Sequence, residues 1–190
     1  RLELASGVRG LLSEAKRVAM EYSPGGAIPY ISRVDAGTID FVRDLGVDVI
    51  SSGDLVGRFE AVWDEEAVAT HQAASERLYR VKDQAFEYVG RKLDAGEPVH
   101  EFEVQEAMAG WMAAEGLVTD SPPIVAAQEN AGNPHYSPTP TVSRPIQSNE
   151  VLVVDLWGKL DRPGAVYADI TWAGYSGRPP AEVADVFRVV

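Results

Sequence analysis

Two aspartates near the carboxyl end of the chain carry side chains that could do chemistry together. Asp155 and Asp169 each lie in an apolar segment that alternates as a β-strand does. If Gly158 pairs with Val166 in a hairpin, Asp155 lies directly opposite Asp169 on one face of the sheet. The sequence therefore predicts two carboxylates side by side.

Two such carboxylates need compensation, because directly opposed like charges repel and apolar neighbours reduce hydration. One interpretation places them at a solvated sheet edge or in a salt bridge to an arginine such as Arg162. The other gives them one or two divalent metal ions, for which Mn²⁺, Co²⁺ and Zn²⁺ suit a carboxylate-rich site. A two-metal site lowers the pKa of a bridging water and polarises a carbonyl group.

A histidine in a polar loop, Asn133-Pro134-His135-Tyr136, is the next candidate. Such a residue is often a plain surface side chain. Alternatively, the His135 imidazole donates a hydrogen bond to a substrate carbonyl or a tetrahedral oxyanion. Of the other two histidines, His71 lies on the apolar face of a long predicted helix, and His100 fails the H-E-x-x-H zinc pattern.

The surrounding pattern predicts the elements that position these side chains. Residues 1–62 alternate helix and strand, which is typical of the end of an α/β domain. Asp64 is the predicted N-cap of a helix that ends near Leu93. Further elements are predicted at 101–115 (helix), 124–127, 150–157 and 166–172 (strands), and from Pro179 to Val190 (helix).

Composition narrows the function classes. The 190 residues include 17 Lys and Arg against 29 Asp and Glu, a formal net charge of −12, which argues against a nucleic-acid-binding surface. The absence of cysteine excludes disulfides, iron–sulfur clusters and thiol catalysis. No apolar run approaches the roughly 20 residues that span a bilayer. Peptides, small molecules and metal cations remain as partners.

Several motifs together resemble the pita-bread metallopeptidase family, which includes methionine aminopeptidase, aminopeptidase P and prolidase. Residues 18–24, 28–35 and 46–49 resemble the end of the amino-terminal domain in the Xaa-Pro peptidase branch. Asn133-Pro134-His135-Tyr136 resembles the segment with that family's substrate-binding histidine. Val153-Val154-Asp155-Leu156 resembles the strand with the first metal-binding aspartate, and Ala168-Asp169-Ile170-Thr171 resembles the second, which bridges both metals.

The resemblance implies an α+β chain with the first half of the pita-bread (creatinase/aminopeptidase) fold. Its expected domains are residues 1–62, the end of an α/β amino-terminal domain, and residues 63–190, the first half of the catalytic domain. The family uses five metal ligands, and the remaining His and two Glu would follow in the second half. Because two carboxylates alone hold a metal weakly, we expect this stretch by itself to be inactive.

The function that the resemblance implies is metal-dependent exopeptidase activity on amino-terminal Xaa-Pro bonds, of the aminopeptidase P or prolidase type. Asp155 and Asp169 would hold two divalent ions, Mn²⁺ before Co²⁺ or Zn²⁺, and His135 would be catalytic. We expect a peptide substrate, a homodimer, a cytoplasmic location, and neither nucleic acid nor membrane as partner. The alternatives are a metal-free creatinase-like amidinohydrolase and a non-catalytic binding protein that keeps the fold.

Overall fold

The computed structural model describes residues 2–189 and divides the chain into two compact units, with the boundary between Trp63 and Asp64. That boundary lies one residue from the predicted one. The assignment of these units to an amino-terminal and a catalytic domain stays a prediction. Val190, the predicted end of the last helix, lies outside the described residues.

The first unit alternates helices and strands around a small parallel sheet. Its core is formed by Ile39 and Val42 on the second helix, Val49 on the second strand, and Val47 just before that strand. Asp35 caps that helix by accepting a hydrogen bond from the Thr38 amide at 3.0 Å. The elements are α1 (Leu2–Leu11), β1 (Arg17–Met20), α2 (Ala36–Asp44), β2 (Asp48–Ser51), α3 (Gly53–Glu60), and 3-10 segments at Pro24–Gly26 and Pro29–Ile31. Strand β2 pairs parallel with β1, and helix α3 was not predicted.

The second unit consists of two long helices packed on an antiparallel sheet. Its elements are α4 (Glu65–Asp94), α5 (Glu101–Ala114), β3 (Leu117–Val118), β4 (Ile124–Ala127), a 3-10 segment (Gln128–Gly132), β5 (Val151–Leu160), β6 (Ala168–Tyr175) and α6 (Ala181–Val189). The central strand is β5, which pairs with β4 and β6 and, at its carboxyl end, with β3.

The long helix α4 begins at the predicted cap, since the Asp64 carboxylate accepts a hydrogen bond from the Ala67 amide at 2.7 Å. Its inner face repeats at steps of three and four residues, and Leu78, Val81 and Ala85 are fully buried. Each such aliphatic side chain of leucine or valine size contributes roughly 1.5–3 kcal/mol by its removal from water. The helix therefore provides a fixed support for the sheet.

The hairpin of β5 and β6 has one face in the core and one face away from it. Leu152, Val154 and Leu156 are buried in the core that the sheet shares with α4 and α5. The intervening residues of β5, which include Asp155, are only half-buried because they point away from the helices. This confirms the predicted sorting of the strand residues onto two faces.

Candidate metal centre

The register of the hairpin differs from the predicted one. Asp155 pairs with Thr171, and Asp169 pairs with Trp157, so the prediction that the two aspartates are directly opposed is wrong. The shift is two residues, and a shift by an even number keeps every side chain on its original face. Asp155 and Asp169 therefore share a sheet face as diagonal neighbours, a position in which Cα atoms are about 7–8 Å apart.

Contacts with α4 explain this register. The Val166 amide donates a hydrogen bond to Thr70 Oγ1 at 3.1 Å. The Tyr167 carbonyl oxygen lies 2.8 Å from His71 Nδ1, which acts as the donor because a carbonyl oxygen can only accept. Since these two residues are bound to the helix, β6 begins only at Ala168. His71, interpreted from the sequence as a packed histidine, is half-buried at this contact.

Asp155 occupies a central position in the sheet. It is flanked by Ile124 on β4 and by Thr171 on β6, and it is half-buried. The Thr171 hydroxyl donates a hydrogen bond to Asp155 Oδ1 at 2.7 Å. Within the described residues nothing donates to Oδ2, so one oxygen orients the carboxylate and the other remains available to a ligand.

Asp169 is more exposed, and its electrostatic environment is unfavourable for a second negative charge. Partial desolvation and the charge of Asp155 raise the pKa of Asp169 above its usual value. Arg162, the arginine that the sequence offered as a partner, instead lies 3.5 Å from Glu66 through Nη2. Neither aspartate forms an ion pair with any residue in 2–189, and Asp169 is exposed, so solvent, a proton or a bound cation offsets their repulsion.

The donor set suits a hard divalent cation, because it consists of carboxylate oxygens with a hydroxyl beside them. In the part of the chain that the structure describes, no group of three or more His, Asp or Glu side chains could hold a metal ion. The pair therefore fits a divalent metal as two of its ligands and not as a complete coordination shell.

His135 lies in a turn that follows the 3-10 segment, and that segment packs against β4 and β5. The side chain is exposed, and its amide donates a hydrogen bond to Asn133 Oδ1 at 3.0 Å. Its ring makes no hydrogen bond to Asp155, to Asp169 or to another described residue. The structure thus brings the two aspartates together and places His135 on the loop whose 3-10 segment packs against β4 and β5.

Sequence reasoning did not identify two residues that contribute to this region, Thr171 and Glu101. Thr171 could have been found from strand alternation, which puts it on the same face as Asp169. Glu101 is fully buried and accepts hydrogen bonds from the loop that carries His135. Its only sequence signal was an acidic residue at the first position of a helix, which is common at exposed helix starts as well.

A model of metallopeptidase family M24 matches residues 73–190. The chain belongs to this family, and the predicted first half of the pita-bread fold is confirmed.

Several solved structures that share this fold are peptidases. They include the dipeptidase PepE of Mycobacterium ulcerans (23% identity, TM-score 0.64, 82% of this chain and 39% of that one). A prolidase of Thermococcus sibiricus aligns at 22% identity and TM-score 0.60, over 83% of this chain and 41% of that one. An X-prolyl aminopeptidase of Caenorhabditis elegans is described as a cytosolic enzyme with a di-nuclear active site. It aligns at 14% identity and TM-score 0.57, over 80% of this chain and 32% of that one.

The chain spans less than half the length of each of these structures. No curated protein matches it significantly. Among the described residues, none of the helices combines the length and the apolar character that a membrane crossing requires.

Proposed function

We propose that the complete protein containing this chain is a metal-dependent exopeptidase that hydrolyses amino-terminal Xaa-Pro bonds, as an aminopeptidase P or a prolidase does. The observation that carries the proposal is the position of Asp155 and Asp169 on one sheet face, without an ion-pair partner in the described residues. The family match and the peptidases among the similar structures support it.

In this proposal Asp155 and Asp169 hold two divalent ions, with Mn²⁺ first and Co²⁺ or Zn²⁺ as alternatives. When bound, the ions supply Lewis-acid chemistry that activates water and polarises the peptide carbonyl. Thr171 holds one oxygen of Asp155, which leaves the other directed to the ligand. Because residues 2–189 contain no group of three or more side chains that could hold a metal ion, the remaining ligands would come from elsewhere in the complete protein, and we expect this stretch alone to be inactive.

His135 is the proposed catalytic residue. Its imidazole donates a hydrogen bond to the carbonyl oxygen of the scissile bond, on which negative charge develops as the bond is attacked. Exposure of the ring and the absence of a competing partner among the described residues are compatible with this role. The donor stabilises the transition state more than the ground state, so it acts on kcat.

The same proposal places the enzyme in the cytoplasm as a homodimer with a peptide substrate. The similar Caenorhabditis elegans aminopeptidase is described as a cytosolic enzyme. Size measurement of the purified complete protein tests the dimer.

The experiment compares the wild-type complete protein with the double variant Asp155→Asn, Asp169→Asn. Each is stripped with a chelator and reloaded with Mn²⁺, and bound metal and hydrolysis of an Xaa-Pro dipeptide and a longer Xaa-Pro peptide are measured. We expect the double variant to lose bound metal and hydrolysis of both substrates. Asp161→Asn is the matched control, because Asp161 is exposed in the hairpin loop. Unchanged hydrolysis in the double variant would refute the proposal.

A further inference from the structure

The loop that carries His135 is long and mostly irregular. It runs from the end of β4 at Ala127 to Arg144, and its only regular element is the 3-10 segment. A loop of this length normally needs specific internal contacts to hold one conformation. His135 makes no side-chain hydrogen bond within the described residues, so its position depends on what fixes the backbone around it.

One buried carboxylate fixes that backbone. Glu101, the first residue of α5, is fully buried. Its Oε1 accepts hydrogen bonds from the Ala127 amide at 2.8 Å and from Asn130 Nδ2 at 3.0 Å. Its Oε2 accepts from the Tyr136 hydroxyl at 2.5 Å and from the Arg144 amide at 2.9 Å. A single side chain therefore joins the start, the middle and the end of the loop.

Tyr136 is the link between this carboxylate and the candidate catalytic residue, because it directly follows His135. Burial and the hydrogen bond to Glu101 raise the pKa of Tyr136, so its hydroxyl stays protonated and continues to donate. Hydrogen bonds to an ionised acceptor are stronger than those between neutral groups. The backbone at residue 135 is thereby fixed from its carboxyl side.

From these contacts we infer that Glu101 is a positioning residue that sets where the His135 imidazole stands relative to the substrate. The inference rests on the proposed function, since it needs the catalytic role of His135. Among the described residues, Glu101 makes no hydrogen bond or ion pair with Asp155 or Asp169. Loss of its negative charge loosens the loop and moves the imidazole, and a displacement of about 1 Å lowers a rate by on the order of 100-fold.

The chain offers a matched control on the same helix. Glu103 lies two residues further along α5 and also accepts a hydrogen bond from a tyrosine hydroxyl, that of Tyr88. Its other partner is Lys92 Nζ at 3.0 Å, so these contacts join α5 to α4 and do not involve the loop. Glu103→Gln and Tyr88→Phe repeat the chemical changes of Glu101→Gln and Tyr136→Phe without reaching His135.

The test is a double-mutant cycle in the Mn²⁺-loaded complete protein, with kcat and KM for an Xaa-Pro dipeptide. Glu101→Gln should lower kcat by on the order of 100-fold and change KM less, whereas Glu103→Gln retains kcat. In the His135→Ala background Glu101→Gln should lower kcat no further, because it acts through that histidine. Tyr136→Phe, which removes one donor and keeps the fold, should lower kcat by about 5- to 10-fold.

Hydrogen exchange supplies a readout that does not depend on activity. At least one of the Ala127 and Arg144 amides should exchange faster in Glu101→Gln than in Glu103→Gln, because only the first variant replaces one of the two accepting oxygens with an NH₂ group, which cannot accept. Equal exchange in both variants overturns the inference, even in a protein that hydrolyses no Xaa-Pro bond.

The possible failures are distinguishable. If His135→Ala retains wild-type kcat, the proposed catalytic role of His135 is refuted, and the inference about Glu101 is refuted with it. If His135→Ala loses activity but Glu101→Gln multiplies that loss, the proposed function stands and the inference alone is overturned. Loss of kcat in Glu103→Gln equal to that in Glu101→Gln also overturns it.

Discussion

The repulsion between the paired aspartates predicts that neutralising one of them stabilises the metal-free protein. In the observed register Asp169 is a diagonal neighbour of Asp155, and its pKa is raised by partial desolvation and by that neighbour. With the carboxylates about 6.5 Å apart and an effective dielectric constant of about 40–80, the repulsion is about 0.6–1.3 kcal/mol. Screening at about 0.15 M salt roughly halves it.

We therefore expect Asp169→Asn to increase the free energy of unfolding by about 0.5–1 kcal/mol at pH 7 and low salt in the presence of a chelator. Urea denaturation measures this difference. Asp161→Asn is the control, because Asp161 is exposed and makes no ion pair with a described residue. The stabilisation should shrink at high salt.

Added Mn²⁺ should reverse the order of stability, so that the wild type becomes more stable than Asp169→Asn. Metal binding raises the free energy of unfolding of the wild type by RT ln(1 + [L]/Kd), where [L] is the free Mn²⁺ concentration. The variant lacks one of the metal-binding carboxylates, so its free energy of unfolding rises less. An Asp169→Asn protein that is less stable than wild type in chelator, or no different from Asp161→Asn, would refute the claim that the pair is a strained cation site.

Two further predictions concern contacts outside the candidate site. The guanidinium of Arg144 donates to both oxygens of Glu150, at 2.9 and 2.8 Å, and holds the pKa of Glu150 below its usual value. Glu150→Gln should lower the free energy of unfolding at pH 7 by about 2–3 kcal/mol. Because the pKa of Glu150 is lowered in the folded state, the stabilisation is complete at any pH above about 4.3, which is the pKa of a glutamate in the unfolded chain. It is lost as the pH falls through the pKa of Glu150 in the folded state. Urea denaturation between pH 7 and pH 3 should therefore show the two proteins converging, and a constant difference would contradict the assignment. In Gly174→Ala the added Cβ would lie 2.5 Å from Phe86 Cε1. We therefore expect the free energy of unfolding, measured by thermal denaturation, to fall by about 1–3 kcal/mol. Gly90→Ala, inside α4 with no atom within 4 Å of the new Cβ, should instead gain about 0.5–1 kcal/mol, and similar shifts in both variants would contradict this packing argument.

The parts of the fold that the sequence predicted well depend on local periodicity. The cap at Asp64 follows from its residue type just before the helix, the buried face of α4 follows from the helical repeat, and both are confirmed. The placement of Asp155 and Asp169 on the same strand face follows from alternation, which survives any register shift of two. Short elements with few residues to average over were missed, as β3 at Leu117–Val118 shows.

The sequence by itself determined which residues face the helices and which two carboxylates share the opposite face, because side-chain direction in a strand is a local property of the backbone. Only the tertiary structure decided how those carboxylates align. Thr70 and His71 on α4 bind the start of the returning strand, and this sets the register. The burial of Glu101 was likewise decided by a loop that folds over it from 26 to 43 residues away, a distance at which no local pattern carries information.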